Sequence, residues 1–277
     1  LDDGAEVIIS IDDDNFCDPQ MDYIGQHQVV GRAAEDEIVR SSDGWFNICD
    51  LLDGWPSGEV FARGFPYFAQ RSQRVVEMLG RRETTVAINA GLWLGDPDVD
   101  AIYRLCRRPQ GVAFQGRSMV LDHDTWSPIN TQNTALTRQA ALAYHYVKMG
   151  HPLRGLTIDR FGDILSGFLV QKVVKHLGHA VRLGTPVVEH RRTEHNLFKD
   201  LYHELAGIVL IEELLPWLVE ASLDGSSMLE SYRCLADELT RKADLFRGFI
   251  WDDGGRDFLR STAANMLVWA ECVQRFA

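Results

Sequence analysis

Apolar residues change their spacing along the chain. Up to about residue 195 they come in short runs broken by Gly, Pro and acidic residues, and beyond it they recur at helical spacing. Val7-Ile8-Ile9-Ser10-Ile11 predicts a buried strand, ending in Asp12-Asp13-Asp14. Residues 19–40 read as helix and loop. Residues 41–74 are rich in Gly, Pro and aromatics (Trp45, Trp55, Phe61, Phe65, Tyr67) and predict loops with short strands. Thr85-Val86-Ala87-Ile88 predicts a second strand. Residues 97–107 predict a helix with Asp96 as N-cap before Pro97. Thr137 to Met149 predicts another, ended by Gly150. Asp163 to His176 places Ile164, Phe168, Val170, Val173 and Val174 close to helical period, and Gly178 ends it. Ala180 to Val188 reads as a strand.

Three further helices are expected over 195–222, 226–247 and 257–276, packed together by Trp217, Trp251 and Trp269. No internal repeat, low-complexity tract or linker interrupts the chain. Strands mixed with helices, then a helical tail, predict an α/β domain over 1–222 and an α-helical extension over 223–277. The extension is expected to be structural or to form a homo-oligomer. The chain opens on Leu1 and almost at once on a buried strand, so an N-terminal segment of the natural domain is expected to be absent.

Composition narrows the function classes. The 277 residues are 45% hydrophobic and 25% charged, as in ordinary globular proteins. Lys plus Arg (28) minus Asp plus Glu (40) gives −12. Such a field repels phosphates, which argues against general binding to nucleic acid or an anionic membrane but leaves room for one local anion site. Cys17, Cys49, Cys106, Cys234 and Cys272 are odd in number, widely spaced and without a CxxC pair. They read as reduced, buried thiols of a cytoplasmic protein. No apolar run reaches the roughly 18 residues of a membrane helix.

Asp12-Asp13-Asp14 is the sharpest chemical signal. On a strand, Asp12 and Asp14 face one side and can hold a divalent cation that also binds a diphosphate. The alternative is a solvated acidic turn. Asp163 follows Arg160-Phe161-Gly162 and opens a helix, either as its N-cap or as a general base facing a pocket. His190, His195 and His203 cluster late in the chain without a zinc pattern. Arg191 and Arg192 add positive charge that suits a phosphate, or simply a solvated turn. Arg63, in Arg63-Gly64-Phe65-Pro66-Tyr67, can clamp a phosphate or sugar hydroxyl; otherwise the loop is held by its aromatics.

Taken in order, these pieces resemble one family, the reversibly glycosylated polypeptides, which include plant UDP-arabinopyranose mutases. The shared order runs through Ile11-Asp12-Asp13-Asp14, Arg63-Gly64-Phe65-Pro66, Gly91-Leu92-Trp93-Leu94 and Asp96-Pro97-Asp98-Val99-Asp100-Ala101. It continues through Asn133-Thr134-Ala135-Leu136, Arg160-Phe161-Gly162-Asp163, Gly184-Thr185-Pro186 to His190, and Asn196. It covers roughly residues 5–220.

The resemblance implies a GT-A-like, Rossmann-related nucleotide-sugar fold whose first half precedes the DxD strand. It implies Mn²⁺ or Mg²⁺ on Asp12 and Asp14, with His190 as third ligand. Asp163 would be the acceptor-activating carboxylate and Arg63 the arginine of the family's RGYP-type loop. Asp13, Trp93, Asn133, Arg160 and Asn196, which lie in the shared motifs, would line the substrate site. Three positions depart from the family: Asn15 follows the acidic triplet, Gly162-Asp163 carries one carboxylate fewer, and Arg71 is displaced by one position. These departures favour a metal-dependent glycosyltransferase moving sugar from a nucleoside diphosphate sugar, UDP before GDP, to a small-molecule acceptor, as in bacterial natural-product pathways. The alternatives are a mutase interconverting pyranose and furanose forms, and a non-catalytic sugar-nucleotide-binding subunit.

Overall fold

A computed structural model describes residues 3–54 and 59–277, so Trp55 of the aromatic loop lies outside the described residues. The strands are β1 (Val7–Ile11), β2 (Asn15–Phe16), β3 (Ala33–Ser41), β4 (Leu52–Asp53), β5 (Val76–Gly95), β6 (Ala113–Phe114), β7 (Met119–Leu121), β8 (Asn133–Thr137), β9 (His151–Leu153), β10 (Leu156–Ile158) and β11 (Ala180–His190). The helices are α1 (Tyr23–His27), α2 (Tyr67–Gln70), α3 (Ala101–Cys106), α4 (Arg138–Leu142), α5 (Gly162–His176), α6 (Leu197–Glu220), α7 (Met228–Ala243) and α8 (Arg256–Val273). The class is α/β, as the pattern of elements predicts.

Seven strands form a mixed sheet in the order β1-β8-β5-β3-β7-β11-β2, and β5 also pairs directly with β11. β5 is the spine. Its first half is polar and largely exposed and pairs antiparallel with β3, Val76 opposite Ser41 and Thr85 opposite Ala33. Its second half lies between β8 and β11, where Val86, Ile88 and Leu92 are fully buried. Since β8 runs antiparallel to both β1 and β5, and β11 parallel to β5, the strands β1, β5 and β11 all point the same way. Their carboxyl ends bring three loops to one sheet edge, where open α/β sheets place their ligands.

Helix α5 packs on β11 and is buried on every face from Gly162 to Lys175. It is therefore a core helix, wrapped on its other sides by α7 and its neighbours. α7 is amphipathic, buries Tyr232, Leu235 and Leu239, and packs against α8. One apolar cluster holds residues of β5, α5, α6, α7 and α8, so the C-terminal helices share the core of the sheet domain. Trp251 is buried and stacks on Phe246 at 4.0 Å, while Trp217 and Trp269 are half-buried. Trp269 donates its indole N–H to the Leu142 carbonyl at 3.0 Å.

Several expected elements shift. Residues 33–41 form β3 rather than helix or loop, because pairing with β5 overrides the helix-favouring Ala-Ala-Glu-Asp-Glu run. The strand expected at 85–88 is the apolar part of a 20-residue strand, whose polar arm carries no burial pattern. Helix α3 is capped by Asp100, not Asp96: the Asp100 carboxylate accepts from the Tyr103 N–H at 2.8 Å. The helix expected from Thr137 to Met149 ends at Leu142, and the Ser166 hydroxyl then accepts the Val147 N–H at 2.8 Å. All five cysteines are free, but Cys17, Cys106 and Cys272 are exposed and only Cys49 is fully buried. No helix among the described residues is long and apolar enough to cross a membrane.

Candidate functional site

The site assembles where β1, β5 and β11 end. β1 stops at Ile11, and residues 12–15 form a turn closed by the Asn15 N–H donating to the Asp12 carbonyl at 3.1 Å. Asp12 and Asp14 are thus turn residues, and the expectation that strand alternation aligns them is replaced by a turn leading into β2. Asn15 pairs with His190 in the β2–β11 ladder, which brings the acidic turn to the end of β11. His190 Nε2 lies 3.1 Å from Asp14 Oδ2, and its Nδ1 lies 2.5 Å from the Asp96 carbonyl.

A second group sits around Arg63. Its Nε donates to Asp98 Oδ1 at 2.9 Å, and its two terminal nitrogens reach Asp163 Oδ1 at 3.2 Å and Oδ2 at 2.7 Å. One of them also donates to the Arg160 carbonyl. All three nitrogens of the planar guanidinium are engaged, which a lysine cannot imitate. Burial disfavours the Arg63 charge, but Asp163 and Asp98 outweigh it and hold the guanidinium well above its ordinary value. Burial likewise raises Asp98, and Arg63 outweighs it to leave the carboxyl below the usual range. Gly64 permits this approach: its φ is +87°, and a Cβ there would lie 2.5 Å from the Ile164 side chain on α5. Helix α5 begins at Gly162 after Phe161, so Asp163 sits in the first turn and binds Arg63 instead of capping the helix.

Arg160, with φ +51°, turns the chain into α5. Its side chain meets Glu204 at 3.2 Å and Asp200 at 3.4 Å. Glu204 also accepts the Ala101 N–H at 2.7 Å, tying α6 to the start of α3.

The Asp12 carboxyl is pushed up to about 6, first by desolvation and then by the charges of Asp163, Asp98 and Asp14, with Arg63 opposing. Asp14 and His190 are the two members of the expected ligand set that meet, one offering oxygen donors and the other a nitrogen. The Asp96 carbonyl can only accept, so His190 Nδ1–H donates to it and fixes the ring with Nε2 facing the Asp14 carboxylate. Asp12 does not join them: among the described residues no three His, Cys, Asp or Glu side chains converge as a metal-binding group.

The remaining candidates are dispersed. Trp93 is buried in the core. Asn133 is buried with all four hydrogen-bonding positions filled. Its amide donates to the Leu92 and Pro186 carbonyls, and its oxygen accepts from Tyr23 and His27. Asn196 caps α6, accepting from Phe198 and Lys199 N–H groups at 3.1 Å. Asp13 is exposed on the turn. His195 faces Asp200 and His203 faces Asp159, each apart from the carboxylate that His190 meets.

Sequence reasoning missed Asp98, Glu204 and Asp200. The alternation Asp96, Asp98, Asp100 was a signal, because each aspartate has its own task. Asp96 binds Arg104, Asp98 binds Arg63 and Asn130, and Asp100 caps α3.

The family model for "Reversibly glycosylated polypeptide" matches residues 4–251. The chain belongs to this family. The match runs past residue 222 into the helical region. "Probable UDP-arabinopyranose mutase 2" of Solanum tuberosum is 28% identical over 244 residues, covering 85% of this chain and 60% of that protein. "Probable UDP-arabinopyranose mutase 1" of Pisum sativum is 28% identical over the same length, covering 61% of that protein. "UDP-arabinopyranose mutase 1" of Arabidopsis thaliana is 28% identical over 223 residues, 78% of this chain and 56% of that protein. The chain therefore spans about three-fifths of the length of the curated relatives it matches.

Proposed function

We propose that this family member is a nucleotide-sugar enzyme with a GT-A-like site at the ends of β1, β5 and β11, and that it interconverts ring forms of a UDP-sugar. The names of its relatives favour this reading over transfer to a separate small-molecule acceptor. The observation that carries it is the engagement of Asp163. Both of its carboxylate oxygens are committed to Arg63, so its task is to position Arg63 rather than to take a proton from an acceptor.

Asp14 and His190 would hold Mn²⁺ or Mg²⁺, and the bound ion would neutralise diphosphate charge during C–O cleavage at the sugar. Arg63, fixed between Asp98 and Asp163, keeps a positive charge beside the carboxylates. The crowded carboxylates of Asp12, Asp98 and Asp163 suit a site where positive charge develops on a sugar ring.

Product analysis with UDP-arabinopyranose and Mn²⁺, with and without an acceptor, tests this. The furanose form should appear with no acceptor present. Conversion only when an acceptor is added would replace the reading with glycosyl transfer. Binding without any conversion would leave a non-catalytic subunit.

A further inference from the structure

A cleft of about 550 Å³ lies beside the site, between α3 with the loop after it and the segment that follows β11. In a chain of net charge −12, its walls carry Arg104, Arg107, Arg108, Arg192 and His195, against Asp96 and Glu194. Arg104 is only 9% exposed, and its Nε has no hydrogen-bond partner although its terminal nitrogens reach Asp96 and the Pro97 carbonyl. A buried guanidinium N–H without a partner costs free energy that a bound oxyanion, or a water it orders, removes. The Arg192 side chain is 10% exposed and pairs with Asp200 at 2.7 Å. Desolvation, then the nearby charge of Arg104, lowers its pKa despite that partner. Both guanidinium groups line the cleft, and Arg108 stands exposed at its rim. Arginine forks match phosphate oxygens.

We propose that this cleft binds a phosphate-class anion through Arg104, Arg108 and Arg192. Asp96 joins the cleft to the site at the strand ends, since its carboxylate takes Arg104 and its carbonyl faces His190. The inference does not depend on ring interconversion, because its binding needs no divalent ion and no sugar.

Titration calorimetry of the whole chain with inorganic pyrophosphate in EDTA tests it. Saturable binding at one site per chain is expected, weakening as salt rises. Arg108→Glu, at an exposed position that leaves the fold intact, should weaken it at least about tenfold, roughly 1.4 kcal/mol. Asp14→Asn should leave metal-free binding unchanged. No saturable binding below about 10 mM pyrophosphate overturns the proposal. So does binding indifferent to Arg108→Glu, or binding that appears only with Mn²⁺ and vanishes in Asp14→Asn. A competition arm separates the sources of the phosphate. If UDP displaces pyrophosphate and loses affinity equally in Arg108→Glu, the cleft takes the nucleotide's diphosphate. If pyrophosphate still binds to protein saturated with UDP and Mn²⁺, it takes a second phosphorylated molecule.

Discussion

Arg63 and Asp163, one hundred residues apart, form a two-pronged ion pair with nitrogen–oxygen distances of 2.7 and 3.2 Å, each side chain about 12% exposed. Removing Asp163 leaves Arg63 with Asp98 and the Arg160 carbonyl as partners, at a cost of about 1–3 kcal/mol for the lost charge-assisted bonds. Asp163→Asn should therefore lower stability by that order in denaturant titration. A helix cap would behave otherwise, because Asn caps about as well as Asp. An unchanged midpoint in Asp163→Asn would sink the positioning role. Arg63→Lys keeps the charge but loses the fork, and should lose most conversion of UDP-sugar while remaining folded.

Gly91 should tolerate no side chain. A Cβ there would lie 2.3 Å from the Asn133 amide and 2.5 Å from the Pro186 carbonyl. These are two partners in one hydrogen bond that joins β8 to the bulge in β11. Gly91→Ala must push them apart, at a cost of about 1–3 kcal/mol by thermal unfolding. A variant as stable as the parent would mean that the β8–β11 clamp contributes little.

Much of this architecture was legible from residue type and spacing, and the failures have physical causes. Ala180–His190 and α5 through α8 bury enough apolar surface for periodicity to mark them. Val7–Ile11 is a strand as expected but not a buried one: it lies at the sheet edge, half-buried, with Ile11 exposed. The exposed arm of β5 is held by backbone pairing to β3, in which only Ile38, Val39 and Ser41 are buried, too few to set a readable period. At the site, spacing marks Asp14 and His190 separately and only the family resemblance joins them with Asp12 in one ligand set; the contact of Asp14 with His190 is set by the β2–β11 register. Asp98 was hidden because its partner Arg63 is 35 residues away. Asn133 and Asn196 carried motif signals, yet their side chains hold the backbone together.

The metal assignment predicts unequal aspartates. Asp14 touches His190, whereas Asp13 faces solvent. Mn²⁺ affinity in the presence of UDP, read by calorimetry, should fall at least about tenfold in Asp14→Asn and in His190→Gln. Asp13→Asn should leave it unchanged. Equal losses at Asp13 and Asp14 would point to a diffuse acidic field instead of a site.

Truncation after residue 222 should fail to give a soluble chain. It removes Leu239, Phe258 and Leu259, which line one apolar space with Leu165, Phe168 and Leu169 of α5 and with Leu214 and Leu218 of α6. The uncovered patch would be large, contiguous and prone to association. A soluble, monomeric and cooperatively unfolding truncated chain would make α7 and α8 a dispensable appendage.

His27 predicts how the protein responds to acid. The imidazole is fully buried, its Nε2–H donating to Asn133 Oδ1 at 3.1 Å and its Nδ1 accepting from the Asn89 amide at 3.0 Å. Desolvation lowers its pKa from 6.5 to about 4; the Asn133 bond opposes the shift and the Arg182 charge adds to it. Between these values the unfolded chain binds a proton that the folded chain refuses, so stability rises with pH across this window. Above pH 6.5 the group costs nothing; as pH falls toward 4 it removes about 3 kcal/mol. Asp12 acts in the opposite sense: its carboxyl is raised from 3.8 to about 6, so its contribution to stability falls as pH rises through that range. The parent curve alone mixes the two. The difference between the parent and His27→Gln isolates the histidine, because the glutamine cannot titrate. Melting temperatures measured from pH 4 to 7 should show the gap between the two proteins shrinking as the solution is acidified. A constant gap across that range would mean that His27 is not held neutral by burial.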